Sequence, residues 1–229
     1  MRTSQLLSVI CSVTLVGGSA HAALLNLAPQ EGAPDLFASF IQVDYTASDK
    51  TFTAKGFSDT YYPTWGNGSP GTPLNAGTWQ LTATLGANNS IVGGHFEVYD
   101  SFNVDFPSGS PDLLLSGNLV AGAAGQSFGF SDPGAANHDE FDFLFQVQSG
   151  SLASQYLAWG NIGGIILDAN FASGSGFTGD WSQNFSNDGN GVSDAFVPEP
   201  SAYGFSAGIA TAFALGMAGL KRLRFFTCS

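Results

Sequence analysis

The chain has 229 residues, 44% of them hydrophobic and 13% aromatic, with 20 Phe; that is ample material for a core and excludes wholesale disorder. Charged residues are only 10% and the formal net charge is −12, so the polar surface must come from Ser, Thr, Asn, Gln and Gly. All but one of the 18 acidic residues lie between Ala23 and Val197, against Lys50 and Lys55 alone, which excludes a nucleic-acid binder and an anionic-lipid binder.

At the N-terminus, Arg2 precedes an apolar stretch from Leu6 to Val16, and Ala20-His21-Ala22 supplies the small-x-small pattern read by signal peptidase. Residues 1–22 are therefore expected to be a cleaved signal peptide, with Ala22 and Ala23 flanking the scissile bond. The two cysteines, Cys11 and Cys228, fall in the end segments, so the body has no disulfide framework, no Cys-ligated metal and no Cys nucleophile.

The body, residues 23–171, alternates apolar and polar residues with period two. The clearest runs are Phe40 to Tyr45, Thr51 to Ala54, Trp79 to Leu85, His95 to Tyr99, Gln126 to Phe130, Phe141 to Gln148 and Ile162 to Asp168. Breaks rich in Gly, Asn, Ser and Pro separate them, as at Pro63 to Gly77 and Pro107 to Pro111. Many short strands with such turns predict an all-β fold, a β-sandwich or jelly roll. Leu113-Leu114-Leu115 fits a buried strand or a helix turn equally, and Ser151 to Trp159 fits a short helix or an irregular loop. The Gly/Ser/Asn-rich stretch 172–197 is expected to hold a final strand around Gly179 to Ser186 and then a loosely ordered stalk.

Chemistry is sparse in the body. There is no Gly-x-Ser-x-Gly elbow, and His95, Glu97, His138 and Glu140 show no spacing that singles out a catalytic pair; no catalytic residue is assigned and no cofactor is required. Asp132, Asn137, Asp139, Glu140 and Asp142 cluster oxygen donors suited to calcium, and Asp188 to Asp194 alternates donors without the terminal bidentate Glu of a calcium loop. Tyr61, Tyr62 and Trp65 sit among loop-forming residues, and Trp159 and Trp181 are further aromatics; exposed, such rings stack on sugar faces, whereas in a β-rich chain aromatics more often fill the core.

The C-terminal segment, residues 198–229, is the most specific part. Pro198-Glu199-Pro200 stops any preceding element and holds the backbone extended. Tyr203 to Leu220 is an apolar stretch just long enough to span a bilayer as a helix, and Lys221, Arg222 and Arg224 follow as a cytoplasmic basic cluster. This order resembles the PEP-CTERM sorting signal of Gram-negative bacteria. The resemblance covers about the last thirty residues, with Phe225 to Ser229 extending past the point where such signals often stop. It implies an exported protein held transiently in the inner membrane and processed near the Pro-Glu-Pro by an exosortase, an integral-membrane transpeptidase-like protease. The implied destination is the cell surface or the exopolysaccharide matrix, with a carbohydrate-binding body, calcium-assisted or not, as the alternative to a purely structural one. A secreted hydrolase is the third reading.

Overall fold

The computed structural model describes residues 24–100, 112–123, 125–131, 138–170, 177–187 and 189–199. The first hairpin shows how the sequence pattern becomes structure. Strands β1 (Asp35–Thr46) and β2 (Thr51–Tyr62) pair from Thr46↔Thr51 upward across a four-residue turn. Ile41, Val43 and Tyr45 point into the core while Gln42 and Thr46 stay exposed, as period two requires. Between Ser39 and Ile41 the register slips by one residue, and Phe40 takes a left-handed backbone (φ 54°). Two consecutive residues thus face outward, and the inward sets on either side, Leu36 and Ala38 before and Ile41 after, stay in phase. Gly56 on β2 makes this bulge possible: a Cβ there would lie 2.7 Å from the Ser39 carbonyl oxygen and against Ile41.

The chain continues as β3 (Thr72–Leu85), a 3-10 turn at Ala87–Asn89, β4 (Ile91–Tyr99) and β5 (Leu113–Leu119). After these come β6 (Phe128–Phe130), β7 (His138–Ser149), α1 (Ala153–Leu157), β8 (Ile162–Asn170), β9 (Phe185–Ser186) and β10 (Gly191–Phe196). Strands β1, β2, β3, β4, β5, β7, β8 and β10 each pair antiparallel with the next, and β10 returns to β1 over Asp35↔Phe196 to Ile41↔Gly191. The result is a closed up-and-down barrel of eight strands. β6 extends the β5 side of β7, and β9 extends the β10 side of β1.

The all-β class is as expected, and the closure corrects the expected sandwich or jelly roll. Both architectures need strands with one apolar face, so alternation alone does not separate them. Closure depends on the β1–β10 pairing, which alternation within single strands does not reveal.

Gly191-Val192-Ser193-Asp194-Ala195-Phe196, expected from its composition to be stalk, forms β10 instead. Its inward positions are Gly191, Ser193 and Ala195, small because the barrel interior opposite is already full. Trp79, Phe96, Phe145, Phe143, Phe128 and Phe52 pack through it, neighbouring rings having centroids 5.0–5.5 Å apart. Eight strands leave an interior that side chains fill. Of the two ambiguous segments, 113–119 is a strand, and 153–157 is a short helix that closes one end with Tyr156, whose buried hydroxyl donates to the Ala195 carbonyl at 2.7 Å. Trp181, Phe177 and Phe185 close the other end, against Phe130, Phe141 and Tyr45.

A second, smaller apolar cluster lies on the outer wall. Leu27 packs with Leu144 and Phe196, flanked by Leu25, Val120, Ile162 and Ile166. The segment from Leu24 to Gln30 runs over β7, β8 and β10 there, and covers what would otherwise be an exposed apolar stripe.

Candidate functional site

The first two residues of the Pro198-Glu199-Pro200 segment belong to the folded body. Pro29 and Pro198 form an antiparallel bridge, the Gln30 amide donates to the Val197 carbonyl at 2.8 Å, and the Glu199 amide donates to the Ala28 carbonyl at 2.9 Å. Pro198 is buried and Glu199 is exposed. The expected stalk is therefore not seen at 191–199: the barrel wall runs directly into the Pro-Glu-Pro, and the segment before β1 holds it through an isolated bridge at Pro29. Pro200, the apolar stretch 203–220, Lys221, Arg222, Arg224, Ala22 and Ala23 lie outside the described residues. Among the described residues no helix is long and apolar enough to cross a membrane.

The three aromatics singled out for sugar stacking separate. Tyr61 is inward-facing and buried, and its hydroxyl donates to Gln155 Oε1 on α1. It is core, because it sits opposite Leu36 on the inner face of the β1–β2 pair. Tyr62, one residue on, takes the other face and meets Trp65 edge-on at 5.3 Å. Trp65 is 38% exposed and Trp159, following α1, is 48% exposed. These two indoles border one turn. The Trp65 carbonyl accepts the Gly32 amide at 2.8 Å, and the Trp159 ring lies 3.6 Å from where a Gly32 Cβ would stand. Leu157 is also exposed there, and Glu31 reaches Gly66 in the β2–β3 loop. The third tryptophan, Trp181, is core.

The candidate calcium ligands do not converge. Asp139 faces the barrel interior at one end and accepts the Phe177 amide at 2.9 Å, whereas Glu140 and Asp142 alternate with the inward-facing Phe141 and take different faces from Asp139. Asp132 lies outside the described residues. In the second candidate loop, residues 191–194 form β10, and the Ser193 hydroxyl donates to the Ile166 carbonyl. No group of three metal-ligating side chains is assembled among the described residues.

The remaining polar clusters sit on the outer wall. Glu97 on β4 accepts from Gln80 Nε2 at 2.6 Å and from the Tyr99 hydroxyl at 3.1 Å, and it contacts His95 Nε2 at 3.0 Å. Burial would raise its pKa, but these hydrogen bonds outweigh it and the net shift is downward. Glu97 and Glu140 both project outward from a convex wall, on strands two places apart, so they do not flank a common cleft.

The residue that sequence reasoning missed is Asp35, 1% exposed at the start of β1, with neither carboxylate oxygen well hydrogen-bonded among the described residues. Burial, and then the charge of Asp194, push it up to about 8, with the Leu36 amide offsetting part of the rise. An Asp before a strand usually reads as turn chemistry, and nothing local signals its burial.

Taken together, these features define an up-and-down eight-stranded barrel with a filled aromatic interior. Many of its outward strand positions, among them Gln42, Lys55, Thr78, Thr82, Thr84, Gln146 and Gln148, are exposed and polar, whereas Phe40, Phe57, Val92 and Val192 are exposed apolar residues on the same wall. Comparisons with protein-family models, with curated proteins and with solved structures find no match to this chain.

Proposed function

We propose that this chain is an exported, non-catalytic surface or matrix protein whose C-terminal PEP-CTERM-like tail is processed by an exosortase-like membrane protease, leaving the barrel associated with exopolysaccharide. The observation that carries the reading is where the fold stops. The last barrel strand ends at Phe196, two residues before the Pro-Glu-Pro, so the sorting segment begins at the edge of a finished domain. A filled interior and polar groups dispersed over a convex wall suit a binding or structural role better than a reaction needing convergent groups.

Fractionation tests this. In cells with the protease, the protein is expected at the surface or in the medium. In cells lacking it, the uncleaved chain is expected in the inner membrane. An identical distribution in both strains contradicts the sorting reading.

A second reading rests on the exposed Trp65 and Trp159 beside the Glu31–Gly32 turn. Two indole faces with a neighbouring carboxylate suit a sugar face and its hydroxyls, each stacking contact being worth about 1 kcal/mol. Trp65→Ala and Trp159→Ala are each expected to weaken binding to the organism's own exopolysaccharide about fivefold to tenfold by titration calorimetry. Unchanged affinity in both variants removes this site from consideration.

A further inference from the structure

Apart from Val92 on β4, the exposed large apolar side chains described on the strands gather at the β1 bulge. Phe40 is 67% exposed and Phe57 51%, with Val192 beside them. Ser39 pairs with Phe57 on β2 and with Val192 on β10, and Phe40 is the extra residue next to it. The backbone at Phe40 is left-handed (φ 54°). A bulge residue in that region is ordinarily glycine, and a bulky one carries strain. The bulge keeps the inward set in phase without any ring at position 40, so packing does not account for the ring. A groove of about 340 Å³ opens here, lined by Ser39, Phe40, Phe57, Ser58, Asp59 and Leu74.

The chemistry of the groove selects its occupant. β1 and β2 are each paired on both sides, so neither offers an edge to an added peptide strand. The formal charge of −12 works against a second copy of the chain and against an anionic lipid surface. The groove itself is balanced: Asp59 lines it, and Lys55 stands two residues from Phe57 on the same outer face. Neither makes an ion pair or a side-chain hydrogen bond among the described residues, whereas Gln42 is taken by Asp44 and Gln80 by Glu97. Apolar rings with an acceptor and a donor free at their edges match a sugar, which has a C–H face and a rim of hydroxyls. The outer face of β2 then leads past Asp59 to Tyr62, five residues and about 17 Å from Phe57, where Tyr62 meets Trp65 edge-on.

We propose that the outer face of β2 carries a neutral polysaccharide chain. One sugar ring lies against Phe40 and Phe57 with its hydroxyls on Asp59 and Lys55, and the chain runs on to Tyr62 and Trp65. The proposal rests on the carbohydrate reading of Trp65 and extends that site from a pair of indoles to a track. The strain at Phe40 holds its ring out to the chain.

The test is titration calorimetry of the full chain, purified in detergent, with the organism's own exopolysaccharide cut by partial hydrolysis and sorted by size. Phe57→Ala and Phe40→Gly are each expected to weaken binding of long fragments about fivefold to tenfold, whereas Val92→Ala is expected to change nothing. Disaccharide fragments are expected to bind at least about tenfold more weakly than long ones. Because glycine adopts φ 54° freely, Phe40→Gly is also expected to hold Tm or raise it by about 2 °C. A Tm fall of about 5 °C or more assigns the ring to the fold and overturns the proposal. Full-strength binding in both Phe variants, with Trp65→Ala still weakened, overturns the track and leaves the Trp65 site standing. No binding by the unaltered chain overturns the carbohydrate reading and the track together. A dimer seen by sedimentation and lost in both Phe variants assigns the patch to self-association and overturns the proposal.

Discussion

Asp35 should set the pH response of the molecule. Its carboxyl stays protonated to about pH 8 in the fold, whereas in the unfolded chain it ionises near 3.8. Asp142, raised to about 7, and Asp194, raised by burial to about 6, act in the same direction. Between about pH 4 and pH 8 the unfolded state therefore binds fewer protons than the native state, and stability falls as pH rises. Thermal melts should show Tm declining from pH 5 to pH 8, with Asp35→Asn raising Tm at pH 8 and flattening the upper half of the curve. A Tm that climbs across this window would contradict the assignment. This behaviour was not legible in the sequence. Asp35 opens a strand where a turn-forming Asp is common, and its surroundings come from distant segments: Tyr62 and Phe196 are its cross-strand partners, and the charge of Asp194 acts on it. Tyr61 and Tyr62 mark the same limit. Both were grouped with Trp65 in one loop, but β2 extends through Tyr62 and its alternation turns Tyr61 inward.

At the level of elements, large and small residues are matched across neighbouring strands. Phe145 on β7 sits between Gly117 on β5 and Gly163 on β8, and a Cβ on either glycine would overlap its ring. The ring covers backbone that glycine leaves bare, and glycine leaves room for the ring. Gly163→Ala should therefore lower stability by about 2–3 kcal/mol through overpacking, read as a shift of the denaturation midpoint at unchanged m-value. A neutral effect would mean that Phe145 has room to move. Strands with strong alternation, such as 79–85 and 141–148, were legible because each carries its own apolar face. β10 was not, because its inward residues are small and the partners that make it a strand are 159 residues away in β1 and 30 away in β8, as Leu36↔Ala195 and Ile165↔Ala195 show. The candidate calcium set shows a related limit: Asp139, Glu140 and Asp142 are adjacent in sequence, but strand alternation puts Asp139 on the other face from Glu140 and Asp142.

For the whole molecule, closure brings the two ends of the body together. The β1–β10 seam sets Phe196 beside Asp35, and the segment entering β1 lies antiparallel to the segment leaving β10. Two backbone hydrogen bonds and the burial of Leu27 hold this pairing, about 3–5 kcal/mol in all. That is enough to order Pro198 and Glu199 against the segment before β1. The tail was the most specific signal in the sequence, because a motif, an apolar helix and a basic cluster in fixed order can be read without tertiary structure. Its attachment to the segment before β1 could not be read, since nothing local to Pro198 names Pro29 as its partner. Mass spectrometry of the mature protein, isolated from cells that encode the protease, tests the account most directly. It should find a chain that begins at Ala23 and ends beyond Glu199 but short of the apolar stretch 203–220. A mature chain that still runs to Ser229 would contradict it.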